Sequence, residues 1–285
     1  MINYLLITKP GIILGNLVTL AAGFLLASKG VVNYLLFFET LLGLAFIMAS
    51  ACVFNNYIDI PIDRKMERTK NRSLVTGIIT GRNAIIFASV LGILGTIVLA
   101  LTTNTLTVFV AAVGFFVYVI LYSMWKSHTI YGTAIGSIAG AIPPVVGYCA
   151  VSNDFDAGAI ILFTMLVLWQ MPHFFSIALY RFNDYKAAGL PLLPIKKGML
   201  RTKIHMVLYI LAYIAASTLL TIFNYTGYVY LAVALVSGFA WLWLCLKGFS
   251  TDNDQVWGKQ MFQLSLVLIT AVSIAIPLDI VKPIF

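Results

Sequence analysis

Leu41-Leu42-Gly43-Leu44-Ala45-Phe46-Ile47-Met48-Ala49-Ser50-Ala51-Cys52-Val53-Phe54 runs without a charge. Asn55-Asn56-Tyr57-Ile58-Asp59-Ile60-Pro61-Ile62-Asp63-Arg64-Lys65-Met66-Glu67-Arg68-Thr69-Lys70-Asn71-Arg72 follows it directly, turning first to acid and then to base. An apolar run ended by the most polar stretch of the chain reads as a membrane helix entering a water-facing loop. Asn55, Asp59 and Asp63 stand four residues apart, which stacks them on one face where the backbone stays helical. Two like charges so held repel one another unless a cation lies between them, and near a membrane the cost rises. A hard divalent ion suits that place. Arg64, Lys65, Arg68, Lys70 and Arg72 then offer positive charge at a density suited to a phosphate or diphosphate. Acid for metal and base for phosphate is the pattern of a metal-diphosphate site. Pro61, which has no backbone N–H, is expected to kink or open the helix between the two acids.

Outward from this stretch the chain stays apolar: 61% hydrophobic and 10% charged residues, with a mean hydropathy of +0.98 over 285 residues. That balance excludes a soluble domain and specifies an all-α polytopic membrane protein. No composition shift or linker divides it, so residues 1–285 read as a single transmembrane domain. A ruler of about 20 apolar residues per crossing finds nine helices. The first four run from about Gly11 to Ser28, Leu35 to Phe54, Ala84 to Leu101 and Leu106 to Trp125. The next five run from about Tyr131 to Val151, Ala157 to Tyr180, Ile204 to Phe223, Tyr228 to Leu246 and Met261 to Ile280. The first apolar stretch lacks a small-residue cleavage pattern and is expected to remain as the first helix.

The net charge of +8 would point to nucleic acid in a soluble protein. Here the basic residues sit in short loops, so their first role is topology, and no nucleic-acid partner is expected. With a cytoplasmic N-terminus, every basic residue but Lys29 and Lys282 falls in a cytoplasmic segment. The two long polar loops, about 55–83 and 181–203, then share the cytoplasmic face. Cys52, Cys149 and Cys245 occur singly inside apolar spans, as small buried hydrophobes rather than ligands or a disulfide.

Smaller signals surround these loops. In the second loop Asp184 lies four residues after Tyr180, unremarkable alone but facing the same side as Asp59 and Asp63. Trp169-Gln170-Met171-Pro172-His173 places two polar side chains at membrane depth. They mark a ligand-facing surface, or the histidine simply bonds a neighbouring backbone carbonyl. Gly132, Gly136 and Gly140 clear one helix face for close packing, and Pro143-Pro144 then kinks or breaks that helix. Phe115, Phe116, Tyr118, Tyr122, Trp125, Trp169, Phe174 and Phe175 read mainly as interfacial belt or core, with a subset suited to face a transient carbocation.

Asn55-Asn56-x-x-Asp59-x-x-x-Asp63, followed by Arg64, Arg68-Thr69 and Arg72, resembles the first Asp-rich motif of the UbiA superfamily of intramembrane prenyltransferases. Tyr180-x-x-x-Asp184 is similar to its second motif. The finer likeness is to the protohaem-farnesylating branch. It is carried by Trp169-Gln170-Met171-Pro172-His173, by Asp184-Tyr185 with Ala188-Gly189-x-Pro191-x-x-Pro194, and by Gly140-Ala141-x-Pro143-Pro144-x-x-Gly147-Tyr148. These landmarks run from Thr8-Lys9-Pro10 to about Pro194, and the last three helices carry none. Asn56 stands where many superfamily members have Asp, and the second motif offers Tyr180 and Asp184 rather than two acids.

The resemblance implies an enzyme with a defined set of roles. Mg2+ would be held by Asp59, Asp63 and Asp184 with Asn55 assisting. The diphosphate of farnesyl diphosphate would meet Arg64, Lys65, Arg68 and Arg72, with Lys126, Tyr122, Tyr180 and Lys186 beside them. The acceptor would be a vinyl group of protohaem IX, oriented by His173, through iron or a propionate, and by Gln170. Water would complete the product, haem O. The same resemblance implies a multi-pass protein of the bacterial inner membrane, its active site toward the cytoplasm, with a haem A synthase or terminal oxidase as pathway partner. Two rivals stand beside it. A prenyltransferase of the same superfamily would take a quinone or chlorophyll precursor as acceptor. A secondary transporter would carry ionisable groups near the midplane, whereas here they crowd toward one surface.

Overall fold

The structure, a computed structural model, describes residues 2–281, so Lys282 lies outside it. Nine helices among the described residues are long and apolar enough to cross a membrane. In chain order the spans are Pro10–Ser28, Tyr34–Ile58, Gly81–Thr102, Thr105–Trp125, Gly132–Ser152, Ala157–Tyr180, Met199–Ile222, Tyr228–Ser250 and Asp254–Leu278. All nine expected spans are present, but several ends lie farther out. The second continues through Asn55 and Asn56 to Ile58. The third starts at Gly81, with Thr80 accepting from the Asn83 N–H at 3.3 Å. The ninth starts at Asp254, where Asn253 accepts from Gln255 and Val256. An apolar ruler stops at the first polar residues, while a capped helix runs on through polar turns.

Two spans are interrupted inside. The fifth breaks at Ala141 into Gly132–Gly140 and Ile142–Ser152. Pro143 takes the first turn of the second half, where its missing N–H costs nothing. The fourth widens into a π-helix, Val117–Tyr122, before closing as Ser123–Trp125. Such wide turns gather at functional sites, and this one reaches the polar end of the bundle.

Small residues let spans touch backbone to backbone. A Cβ on Gly147 would lie 2.2 Å from the Leu20 carbonyl oxygen, and one on Gly23 would lie 2.0 Å from that of Pro144. The first and fifth spans are therefore joined without intervening side chains, as membrane helices often are. The main core, with Leu20, Val146, Leu162, Tyr213, Trp241 and Met261 fully buried or nearly so, links the spans into one body. Ile7, Val53, Ala84 and Ala88 dock a short N-terminal helix, Ile2–Ile7, onto the second and third spans. Met66, Ala188 and Leu190, ringed by Ile62, Tyr185 and Leu192, join the two long polar loops. Both acidic segments thus meet at one end of the bundle.

Candidate active site

The second span delivers the acids. The Asp59 N–H bonds the Asn55 carbonyl at 2.9 Å and the Asp63 N–H bonds the Asp59 carbonyl at 2.8 Å, so i to i−4 spacing carries across Pro61. Pro61 occupies the first turn of the short helix Ile60–Asp63, where its lack of an N–H does no damage. The expected opening of the helix does not separate the acids. Asn55, Asp59 and Asp63 are 2%, 7% and 2% exposed.

Carboxylates buried this deeply need cations or donors; Lys126 and Arg72 supply them, and Lys9 joins them through Asn55. Lys126, at the end of the fourth span, pairs with Asp59 Oδ2. Arg72 Nη1 donates to Asp63 Oδ2 at 2.7 Å and to Asn56 Oδ1 at 3.2 Å. Lys9 Nζ donates to Asn55 Oδ1 at 2.7 Å, and Asn55 Nδ2 donates to Ser123 Oγ at 3.0 Å. Ser123 in turn donates to the Tyr118 carbonyl, five residues back, across the π-helix. The wide turn therefore sets the register in which Ser123 and Lys126 meet the acids.

Asn56 now has a physical reason to be an amide. Its Nδ2 donates to the Ile7 carbonyl at 2.7 Å while its Oδ1 accepts from Arg72. A carboxylate could accept from Arg72 but could not donate to Ile7. This bond holds the N-terminal helix down and brings Lys9 into the site. Lys9 belongs to the Thr8-Lys9-Pro10 landmark, but the sequence gives it no role at the site: it lies 46 positions from Asn55 and reads as a topological charge. Burial lowers its pKa from 10.5 to about 8, with Arg72 and Lys126 pushing the same way and Cys52 and Asp59 opposing.

The glycine stripe does more than pack helices. A Cβ on Gly132 would lie 2.7 Å from Lys126 Cα, one on Gly136 would lie 3.0 Å from the Tyr122 ring, and one on Gly140 would lie 2.1 Å from Gln170 Oε1. The bare face is where Lys126, Tyr122 and Gln170 are seated. Tyr122 also stacks on Tyr118, centroids 5.5 Å apart and planes at 17°, and lies 5.0 Å from the Lys126 ammonium.

Deeper in the sixth span, His173 does not bond a backbone carbonyl. Its Nδ1 lies 2.7 Å from Ser265 Oγ of the ninth span, and its ring stacks on Trp169 with centroids 4.6 Å apart. Trp169 Nε1 donates to the Ser265 carbonyl at 3.1 Å. Ser265 lies in the region without landmarks, where a serine in an apolar helix gives no signal.

The expected meeting of three carboxylates does not occur in this structure. Among the described residues no three His, Cys, Asp or Glu side chains are close enough to hold a metal ion. The loops pack together through Met66, Ala188 and Leu190, yet the partly exposed Asp184, on the short helix Phe182–Ala187, stays outside the Asp59–Asp63 cluster. Lys126 and Arg72 are each committed to one of those two acids. Arg64, Lys65, Arg68 and Lys186 are exposed at the rim, and Tyr180 carries the Arg181 guanidinium over its ring at 4.2 Å. Burial raises the Tyr185 phenol pKa and nearby Tyr122 adds to this, against Arg68, Lys126 and Arg181.

The residues present fit a hard divalent ion. Asp59 Oδ1 is buried without a hydrogen-bond partner, an acceptor that a metal ion would satisfy.

A family profile described as the UbiA prenyltransferase family matches residues 16–267. The chain belongs to the UbiA prenyltransferase family. Among its relatives, a protoheme IX farnesyltransferase of Protochlamydia amoebophila (strain UWE25) is 60% identical over 283 residues, covering 99% of this chain and 100% of the relative. A protoheme IX farnesyltransferase of Edwardsiella ictaluri (strain 93-146) is 52% identical over 278 residues, covering 97% and 94%. In fold, this UbiA chain superposes on a structure of digeranylgeranylglyceryl phosphate synthase with a TM-score of 0.79 at 20% identity, covering 97% and 96%. A UbiA homolog from Archaeoglobus fulgidus bound to GPP and Mg2+ superposes with a TM-score of 0.71 at 17% identity, covering 96% and 99%.

Proposed function

We propose that this chain transfers the farnesyl group of farnesyl diphosphate to a vinyl group of protohaem IX, with addition of water, giving haem O and diphosphate. The observation that carries the reading is the buried Asn55–Asp59–Asp63 ladder facing Lys9, Arg72 and Lys126 at the end of an apolar bundle. The choice of acceptor is supported by near-full-length relatives at 52% and 60% identity named protoheme IX farnesyltransferase.

Mg2+ would be held by Asp59 and Asp63 with Asn55, and by Asp184 from the second loop. When bound it supplies positive charge that stabilises the leaving diphosphate. The exposed Arg64, Lys65, Arg68 and Lys186, with Tyr180 and Arg181 near them, form a positive rim that draws in the anionic head group. Lys9, Arg72 and Lys126 then exchange their bonds to Asn55, Asp63 and Asp59 for phosphate oxygens, freeing the two carboxylates for the metal ion.

The allylic C–O bond breaks with its electron pair leaving on diphosphate. The vinyl π pair of the acceptor forms the new C–C bond, and water adds to the carbon left positive, releasing a proton. No side-chain nucleophile is required. The stacked faces of Tyr118 and Tyr122, beside Lys126, are placed to shield the developing cation from water. His173 and Gln170 orient the acceptor. The acidic end faces the cytoplasm of a bacterial inner membrane, and a haem A synthase or terminal oxidase consumes the product.

The test is to incubate purified protein with protohaem, farnesyl diphosphate and Mg2+ and to seek the mass of hydroxyethylfarnesyl haem. The proposal expects that product. A prenylated phenolic acceptor, formed while protohaem is left unchanged, would replace the haem reading and keep the family.

A further inference from the structure

We propose that the cavity between the second, third and fourth spans binds a membrane quinone, its ring carbonyls accepting hydrogen bonds from Ser50 and Ser89. The cavity measures about 500 Å3, within the range of about 300–1,000 Å3 usual for small-molecule sites. Ile47, Phe54, Ile93, Ile97, Val108 and Phe115 make most of its wall apolar. Ile93 and Ile97 are also exposed on the outside of the third span, so the cavity opens to the hydrocarbon. The farnesyl transfer set out above does not use it.

Ser50 gives the cavity its polar point. The residue is fully buried, and its Oγ has no hydrogen-bond partner. A hydroxyl in a membrane helix commonly returns to a carbonyl of the preceding turn, as Ser28 does to Phe24 at 2.8 Å and Thr96, in this same wall, does to Gly92 at 2.8 Å. Ser50 instead turns its oxygen across to the third span, where a Cβ on Gly92 would lie 2.9 Å from it. A buried hydroxyl without a partner is costly, and a ligand oxygen relieves that cost. Ser89, three residues from Gly92 on the third span, adds a second hydroxyl about 4.5 Å along the cavity.

Depth selects the ligand. Ser50 lies nine residues before Asp59, about 13.5 Å along the helix, which is near the middle of a hydrocarbon core about 30 Å thick. Phospholipid ester carbonyls stay near their head groups, and a charged group at that depth is expensive. A quinone carries neutral carbonyls on a flat ring with an apolar tail, so it brings an acceptor to that depth. Phe54 and Phe115, edge to face with centroids 6.0 Å apart, offer aromatic surface at the end of the cavity nearer the acids.

The experiment uses full-length protein in lipid nanodiscs and a decyl-tailed benzoquinone isotope-labelled at its carbonyl carbons. Difference infrared spectra should show the bound carbonyl stretch displaced to lower frequency, and Ser50→Ala should remove that displacement. Binding should weaken by about 3- to 10-fold in Ser50→Ala, the loss of one hydrogen bond, and persist in Ser50→Thr. Ala112→Phe, which fills the cavity from a lipid-exposed position on the fourth span, should abolish binding and leave the unfolding temperature unchanged. Wild type that binds no quinone would overturn the proposal, as would binding that Ser50→Ala and Ala112→Phe leave unaltered. A raised KM for farnesyl diphosphate in either variant would assign the cavity to the farnesyl chain and overturn it as well.

Discussion

Lys126→Met keeps the aliphatic stem of the side chain and removes the charge that holds Asp59. Both partners are nearly buried, at 12% and 9% side-chain exposure, and Asp59 Oδ1 already lacks a partner. Breaking such a pair from one side costs about 3–5 kcal/mol, because the remaining charge is left uncompensated. In the wild type a divalent ion must compete with Lys126 for the Asp59 carboxylate. In the variant it need not. A hydrogen bond to a charged group is worth about 1.5–3 kcal/mol. At one tenfold step for each 1.4 kcal/mol, the variant should bind Mn2+ alone about 10- to 100-fold more tightly. With inorganic diphosphate present the order should reverse, since the variant has lost a phosphate-binding cation. Electron paramagnetic resonance of free Mn2+ during titration, with and without diphosphate, measures both. Equal Mn2+ affinities of the two proteins in the absence of diphosphate would refute the reasoning that Lys126 acts as a displaceable counter-ion.

Asp59→Ala and Asp63→Ala should each abolish haem O formation while the protein still extracts and purifies as a folded membrane protein, checked by product mass and by thermal unfolding. Chelation of divalent ions should stop turnover, and Mg2+ should restore it. Lys9 is charged below its pKa of about 8. The wild-type affinity for inorganic diphosphate should therefore fall as pH rises through that value, and calorimetric titration of Lys9→Met should lack this limb. The sign for stability is opposite: between about 8 and 10.5 the unfolded chain binds the extra proton, so folding stability rises with pH across that window. Gly147→Ala drives a Cβ into the Leu20 backbone and should destabilise by about 1–3 kcal/mol, read as a lower unfolding temperature. Gly140→Ala meets only the end of the Gln170 side chain and should keep the fold while weakening haem binding, read by spectroscopic titration.

The bundle was legible because hydrocarbon thickness imposes one ruler on every span. The ruler stopped short chiefly at Ile58, Gly81, Met199, Ser250 and Asp254, where helical turns continue past the apolar limit. The acids were legible too, since Asn55, Asp59 and Asp63 announce themselves by spacing on one helix. What escaped was tertiary. Lys9 reaches Asn55 only because Asn56 ties down the N-terminal helix. The π-helix leaves no mark in residue periodicity, yet it sets where Ser123 and Lys126 lie. Ser265 is an ordinary small residue until its hydroxyl is seen against His173. Asp184 is the opposite case. Its loop reaches the site through apolar contacts, but its charge stays outside while Lys126 and Arg72 neutralise the other two acids.

The account stands on a metal-bound diphosphate gripped by Asp59 and Asp63 and released from its farnesyl group there. The most direct measurement is the structure of the protein with Mn2+ and a non-cleavable thiolo analogue of farnesyl diphosphate, with the metal located by anomalous scattering. The account predicts a peak at ligand distance from Asp59 and Asp63, about 2.0–2.2 Å, with Lys126 moved onto a phosphate oxygen and Asp184 drawn in. A metal and diphosphate bound elsewhere, with the Lys126–Asp59 pair intact, would contradict it.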